Sequence, residues 1–355
     1  MKNKIKKPKN KINFSIIFMS LAITCSNFNS CIAKTIAKNF QKVIPIGKTV
    51  GLELNLKSPI VVNVSNVVNK NGEKHSPAKQ AGIKNGDKIL KINDQIITKT
   101  EDVLNAVEKE NGTEIEIEIL RNKKTIKTKI IPILSKIDEK YKLGIWLNDT
   151  VSGIGTITFY DPINEKFASL GHAIVDNNFG STIDINNGSV HKTEIKQIKK
   201  SLNGKAGELV GYFLKEKKGY LSKNCNFGIF GSIEKNFLND CETDLNKIIE
   251  IAPREEIHIG EAYILSNISE NKIEKFNIKI EKVIKQKQKA PKGLILKITD
   301  KNLIEKTGGI VQGMSGSPII QDGKLVGAVT HVIINDPIRG YGIFAEWMLE
   351  ELKEA

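Results

Sequence analysis

Short apolar runs broken by glycine dominate the chain from residue 143 onwards. Examples are GIGTITFYD, GELVGYF, NFGIFGSI and EAYILSNI, each of strand length and each followed by polar or turn-forming residues. Short strands at such spacing favour an all-β barrel or sandwich. A clear helical pattern appears in this part only at the end, over 345–353. We therefore predict a mainly β domain over 143–355, closed by one helix.

Residues 48–134 have a mixed pattern of strands and two short helices. Strands are predicted over 50–56, 60–68 and 88–92, and helices over 77–81 and 101–110. Strict alternation of apolar and polar residues over 113–122 and 124–134 predicts a closing antiparallel pair. We predict a separate domain here, with a connector before it at 34–47 and a charged linker after it at 135–142.

Four short motifs mark this first domain: SPA (76–78), AGI (81–83), GDKI (86–89) and IN (92–93). With them the domain resembles a PDZ domain of the circularly permuted type found in bacterial proteases. It implies an α+β fold, a partly open barrel with two helices, and a groove that takes up a peptide as an extra strand. It also implies that backbone amides near Val50, Gly51 and Leu52 hold the terminal carboxylate of the peptide. The alternative is a spacer whose groove is occupied internally.

The first 33 residues predict export across a membrane. Six lysines within residues 2–11 precede an uncharged stretch over 13–33. Its most apolar part is about ten residues, short for a membrane span and typical of the core of a signal peptide. The sequence leaves open whether this segment is a cleaved signal peptide or a retained N-terminal membrane anchor.

Charge and composition exclude some classes of partner. The net charge is +14, but aromatic residues are only 6% and no basic run is interleaved with them, so we expect no nucleic-acid partner. There is no C-x-x-C pair and the histidines are scattered, so we expect no metal and no cofactor. Cys225 and Cys241, the two cysteines outside the export segment, could form a disulfide, which the sequence leaves open.

The stretch GGIVQGMSGSP, residues 308–318, carries the strongest chemical signal. A strand, an Asp322-Gly323 turn and a second strand follow it at once, so it is not a flexible linker. Such a turn presents a nucleophilic serine, here Ser315. The amides of Gly313 and Ser315 would form the oxyanion hole that an attacked carbonyl requires.

A nucleophilic serine needs a base and an orienting acid. His172, which precedes Ser315 by 143 residues, is our candidate base. The other four histidines are His75, His191, His258 and His331, the last interpreted as a buried core residue. The candidate acids are Asp176, Asp184, Asp240, Asp244 and Asp300, and no aspartate sits convincingly near the middle of the span.

Three further motifs are LGH (170–172), FGIFG (227–231) and the run from KITD through GGIVQGMSGSPIIQDGKLVGAVTHVIINDP. With them, residues 40–355 as a whole resemble the sporulation stage IV protein B family of serine peptidases. It implies a trypsin-like double β-barrel with a C-terminal helix, Ser315 as nucleophile, His172 as base and Asp300 as acid. Gly309, six residues before Ser315, is uncharged and gives no cleavage-site preference.

The resemblance also implies a role in endospore formation. The protein would be exported across the forespore membrane into the intermembrane space, where it would cleave a membrane-bound regulator of sigma-factor processing and its own N-terminal segment. The PDZ domain would bind a peptide ligand and regulate cleavage. The alternatives are a non-catalytic PDZ adaptor and an exported quality-control protease.

Overall fold

The computed structural model describes residues 41–175, 182–239, 247–269 and 272–355. The predicted export segment lies outside these residues, as do Cys241 and the candidate acids Asp176, Asp240 and Asp244. Cys225 is a free thiol. No helix within the described ranges has the length and apolarity that crossing a membrane requires.

Most of the described chain is β-strand. The strands before residue 251 are β1 (Lys42–Pro45), β2 (Thr49–Val64), β3 (Val67–Val68), β4 (Lys74–His75), β5 (Lys88–Ile92), β6 (Gln95–Ile96), β7 (Ile115–Arg121), β8 (Lys124–Ile130), β9 (Ile133–Leu134), β10 (Tyr141–Lys142), β11 (Ile145–Asp161), β12 (Lys166–Ser169), β13 (Ile185–Lys199), β14 (Gly207–Cys225), β15 (Gly228–Ile233) and β16 (Ile249–Glu250). The strands after it are β17 (Gly260–Ser269), β18 (Lys272–Val283), β19 (Leu294–Ile298), β20 (Val311–Gln312), β21 (Pro318–Gln321), β22 (Lys324–Ile333) and β23 (Asp336–Phe344). The helices are α1 (Pro77–Gln80), α2 (Thr100–Lys109), α3 (Lys235–Asn239), α4 (Lys301–Thr307) and α5 (Ala345–Lys353), with a 3₁₀ turn at Arg254–Glu256.

Six strands form a first closed barrel, in the order β11-β12-β15-β14-β13-β2. The ring closes because β2 pairs back onto β11, from Thr49 opposite Thr156 to Val64 opposite Ile145. Successive side chains of a strand point to opposite faces, so the alternate residues Val50, Leu52 and Leu54 all enter one core. This barrel provides one wall of the cleft described below.

A second closed barrel follows, in the order β17-β18-β19-β23-β22-β21. Its core contains alternate apolar residues such as Phe276, Ile278 and Ile280 of β18. Helix α5 packs against β22 and β23 of this barrel and against β12 and β15 of the first. The prediction of a double β-barrel with a C-terminal helix is confirmed.

The PDZ part is built on the far ends of β2 and β11. Strand β5 pairs with β2 at Ile60, and β7 and β8 extend the same sheet. Helix α2 packs Val103 and Val107 into the core of this part. Both long strands therefore run through the PDZ part and the first barrel, and no separate linker divides them. The predicted linker ends in β10, which pairs with β9, and the predicted connector contains β1, which pairs with β11.

A buried ion pair explains the Gly86-Asp87 motif of the PDZ part. The carboxylate of Asp87 is 1% exposed and accepts two hydrogen bonds of 2.6 Å, from Nε and Nη2 of Arg121. Its Oδ2 also accepts a bond of 2.8 Å from the backbone N–H of Lys84. The forked guanidinium thus joins the end of β7 to the turn that precedes β5.

We expect Arg121→Met to lower the free energy of unfolding of the protein by about 3 kcal/mol, because it leaves a buried carboxylate without its partner. Urea denaturation followed by circular dichroism measures the loss. The control is Lys99→Met, which breaks the exposed Lys99–Glu101 pair and should cost less than about 1 kcal/mol. Equal losses in the two variants would contradict this account.

Candidate active site

The turn that carries Ser315 is bonded to both barrels. It lies between β20 and β21, and the N–H of Gly316 donates to the carbonyl of Val329 on β22 at 2.8 Å. Thr156 of β11, in the first barrel, makes two bonds to it. Its Oγ1 donates to the carbonyl of Gly313 at 2.7 Å and its N–H donates to the carbonyl of Ser315 at 3.0 Å. The turn of Ser315 is thus held by hydrogen bonds from both sides of the cleft.

Glycine is required directly after the serine. Gly316 has φ +98°, a conformation that residues with a side chain rarely adopt. A Cβ at this position would also lie 2.0 Å from the carbonyl oxygen of Thr156. The first barrel therefore packs against bare backbone here, which accounts for the Ser-Gly pair of the sequence.

Two amides beside the serine are available to a substrate. The backbone N–H groups of Gly313 and Ser315 donate to no acceptor within the described residues. Their carbonyls are engaged by Thr156, which holds the turn in place. Fixed and unpaired N–H groups suit the negative oxygen that forms when a carbonyl is attacked. The structure places both residues of the predicted oxyanion hole at the site.

His172 reaches the same cavity from the first barrel. It follows β12, in a loop whose Gly171 lies directly against the second barrel. A Cβ on Gly171 would be 2.7 Å from Cγ2 of Ile343 and 2.9 Å from Cγ2 of Thr330. This close approach brings His172 and Ser315 to one cavity of about 410 Å³. The structure thus brings the two predicted residues together.

The imidazole of His172 is held in the tautomer that a general base needs. Its Nδ1 lies 2.8 Å from the carbonyl oxygen of Ala173. Because a carbonyl can only accept, the hydrogen bond requires the proton on Nδ1 and leaves the lone pair on Nε2. Burial lowers the pKa of His172, so the ring is neutral near pH 7.

The Ser315 hydroxyl is not turned toward this base. It donates to the carbonyl of Thr330 on β22 at 2.7 Å. The described contacts include no hydrogen bond between Ser315 and His172. The Ser315 hydroxyl must therefore give up its bond to Thr330 before proton transfer to His172, and the bond between serine and base often forms only when substrate is bound.

Two known protein families match parts of this chain. Residues 139–349 match the SpoIVB peptidase S55 family, and residues 70–121 match a PDZ domain family. The chain belongs to the SpoIVB peptidase S55 family. It is therefore a serine peptidase that carries a PDZ domain.

The chain is also similar to solved structures of the Rv3671c protease from M. tuberculosis. The active form is 13% identical, with a TM-score of 0.30, over 57% of this chain and 73% of that one. An inactive form is 12% identical, with a TM-score of 0.29, over 57% of this chain and 84% of that one.

Asp300 is not at the site of this S55 peptidase. It is the N-cap of α4, where its Oδ1 accepts from the N–H of Leu303 at 3.0 Å. Its Oδ2 accepts from the N–H of Asn277 at 3.3 Å. Within the described residues, neither carboxylate oxygen forms a hydrogen bond or an ion pair with a histidine. The assignment of Asp300 as the acid therefore gains no support from the geometry, and the carbonyl of Ala173 occupies the place where a triad has its carboxylate.

A second histidine, interpreted from the sequence as a core residue, lies beside the base. The ring centroids of His331 and His172 are 4.8 Å apart. Burial, with smaller contributions from His172 and Lys292, lowers the pKa of His331 to about 4, so it is neutral at physiological pH. Its Nδ1 is buried and has no hydrogen-bond partner within the described part of the chain. His331 directly follows Thr330, whose carbonyl accepts a hydrogen bond from the Ser315 hydroxyl, and this contact left no signal in the sequence.

The other histidines and the candidate acid Asp184 do not line this cavity. His191 is bonded to Ser189 and to the carbonyl of Leu214, and exposed His258 pairs with Asp322. His75 lies on β4 of the PDZ part and Asp184 is exposed. No group of three or more His, Cys, Asp and Glu residues in the described ranges is placed to hold a metal ion.

The PDZ part has an apolar groove of about 390 Å³ between α2 and the start of β11. Val103 and Val107 of α2 line one side, and Ile145 and Leu147 line the other. The N–H groups of Leu143 and Gly144, which precede β11, donate to no acceptor within the described residues. Unpaired amides at the end of such a groove suit a peptide carboxylate.

The residues predicted for carboxylate binding are elsewhere, and that prediction is wrong. Val50, Gly51 and Leu52 lie within β2, which pairs with β11 on one side and β13 on the other. Their backbone groups form part of the barrel wall, and all three residues are buried. The available signal was LGIWL at 143–147, where a glycine precedes a strand, but this stretch was assigned to the β domain over 143–355.

The lowered pKa of His172 predicts the pH at which Ser315 becomes reactive. The neutral base is required, so the rate of inactivation by phenylmethanesulfonyl fluoride should reach half its maximum below pH 6.5, the ordinary histidine value. The rate is measured from pH 4 to 9, and His258→Gln, an exposed control, should give the same profile. A midpoint at or above 6.5, or an unchanged profile in His172→Ala, would contradict the assignment.

Substitution of Asp300 distinguishes a role as helix cap from a role as the catalytic acid. Asn caps a helix as well as Asp, whereas Ala loses about 1 kcal/mol of stability. We expect Asp300→Asn to keep the stability of the wild type and its Ser315 inactivation rate within about twofold. An acid of a catalytic triad would instead lose about 10⁴ in turnover on the same change. A loss of that size in Asp300→Asn, at unchanged thermal stability, would restore the triad assignment.

Proposed function

We propose that this chain is an exported serine endopeptidase of endospore formation, with Ser315 as nucleophile and His172 as general base. The observation that carries the proposal is one cavity shared by Ser315, His172 and the two unpaired amides of Gly313 and Ser315. Nucleophile, base and oxyanion donors are the parts that acyl transfer requires. A non-catalytic PDZ adaptor would have no need of this arrangement.

The chemistry follows from the positions of these groups. Ser315 Oγ gives its proton to Nε2 of His172 and bonds to the substrate carbonyl carbon, while the carbonyl oxygen becomes negative between the N–H groups of Gly313 and Ser315. The imidazolium keeps its proton on Nδ1, and that N–H stays hydrogen-bonded to the carbonyl of Ala173. His172 then donates the Nε2 proton to the leaving amine. Water, deprotonated by His172, hydrolyses the acyl-enzyme and restores Ser315.

The PDZ groove is proposed to bind the free C-terminal end of an extended peptide and to regulate cleavage. Supporting this, β11 lines the groove at 145–147 and lines the catalytic cavity at 152–154. The same strand ends its cavity-lining stretch two residues before Thr156, which holds the nucleophile turn. A peptide added beside β11 therefore acts on the strand that supports the oxyanion hole.

The biological assignment is proposed from family membership and the export pattern of residues 1–33. The peptidase would enter the space between forespore and mother cell, where it would cut a membrane-bound regulator of sigma-factor processing. It would also cut itself within its N-terminal segment.

Incubation of the full-length chain, with fragments identified by mass spectrometry, tests the activity. We expect self-cleavage in the wild type and a loss of at least about 1,000-fold in Ser315→Ala and His172→Ala. The matched control is Ser317→Ala, two residues away, because the Ser317 hydroxyl bonds to Ser266 and not to the cavity. An intact wild type that also fails to cut a peptide library would support the adaptor instead. Equal cleavage in Ser315→Ala would show a contaminating protease.

A further inference from the structure

The catalytic cavity is lined almost wholly by aliphatic and small side chains. The aliphatic lining includes Leu52, Ile154, Leu170, Ile174, Ile310 and Val332. Among the described residues, no Asp, Glu, Lys or Arg lines this cavity. A charged substrate side chain placed here would lose its hydration and meet no partner.

Two of these residues belong to the segments next to Ser315 and its hydrogen-bond partner Thr330. Ile310 lies three residues before Gly313, and Val332 lies two residues after Thr330, whose carbonyl accepts a hydrogen bond from the Ser315 hydroxyl. The oxyanion donors fix the substrate carbonyl beside Ser315. A side chain that enters the cavity from this carbonyl meets the segment of Ile310 and the strand of Val332, since both line it.

The depth available to that side chain is set by Ile310. Gly340 of β23 is the cross-strand partner of Val332. A Cβ on Gly340 would lie 2.4 Å from Cδ1 of Ile310, so the Ile310 methyl covers the bare backbone at this point. The backbone of Ile310 is fixed, since its N–H donates to Pro337 at 2.8 Å and its carbonyl accepts from Ser201 Oγ at 2.8 Å.

We infer that this peptidase cuts after aliphatic residues of small or medium size, with Ile310 as the residue that sets the size limit. The inference rests on the proposed function of Ser315 and adds the substrate class. Lysine, arginine, aspartate and glutamate before the cut bond are rejected by the uncharged lining. Phenylalanine and larger side chains are rejected by the Ile310 methyl over Gly340.

The test uses the full-length protein and a peptide series that differs only in the residue before the cut bond: Val, Leu, Phe, Lys and Asp. We expect kcat/KM for Leu to exceed that for Lys and for Asp by about 100-fold, the upper range for discrimination by an apolar pocket. Ile310→Ala should raise the Phe-to-Leu ratio of kcat/KM by about tenfold. The control is Ile163→Ala, on the exposed turn between β11 and β12, which should leave the ratio unchanged.

Labelling of Ser315 with a fluorophosphonate, run in parallel, separates the two proposals. A labelled enzyme that cuts after Lys or Asp as fast as after Leu overturns this inference and leaves the proposed function standing. An enzyme that is neither labelled nor active on any peptide overturns both. Should Ile310→Ala fail to fold, Ile310→Val tests the size limit with a smaller gain, of about threefold. An unchanged ratio in a folded Ile310 variant overturns the role of Ile310.

Discussion

One buried threonine joins the two halves of the catalytic site. Through its N–H and Oγ1, Thr156 holds the turn of Ser315 in the second barrel. Through its carbonyl, it accepts bonds from Ser169 Oγ at 2.7 Å and from the N–H of Leu170 at 3.3 Å, at the start of the loop that carries His172. Ser315 and His172, the proposed nucleophile and base, are 143 residues apart in the sequence. Their relative placement depends on this residue and on the close approach that Gly171 and Gly316 permit.

The long strand β11 connects the PDZ groove to the turn of Ser315. Residues 145–147 line the PDZ groove and Thr156 lies at the catalytic turn, roughly 30 Å along an extended strand at about 3.3 Å per residue. Strand β2 runs beside it over the same length. The peptide groove and the active site are therefore parts of one continuous sheet. The sequence had instead suggested a charged linker between the two domains, at 135–142.

Local patterns predicted the double barrel, and they singled out Ser315 and His172, which the structure brings to one cavity. A constrained glycine turn and short alternating strands leave clear marks in a sequence. They did not predict the place of Val50, Gly51 and Leu52, because a strand inside a closed barrel has the same alternation as one beside a groove. For Asp300, the sequence could not distinguish a catalytic carboxylate from a helix cap. His331 was interpreted as a core residue because its contact with His172 depends on how the barrels pack.

The rate at which a fluorophosphonate labels Ser315, with the site mapped by mass spectrometry, tests the role of Thr156 most directly. We predict that Thr156→Val slows labelling by about tenfold or more, because it frees the carbonyl of Gly313 and loosens the oxyanion hole. Thr156→Ser, which keeps the hydroxyl, should label at close to the rate of the wild type. Both variants should keep the circular dichroism spectrum of the folded protein. Labelling of folded Thr156→Val at the wild-type rate would contradict the account.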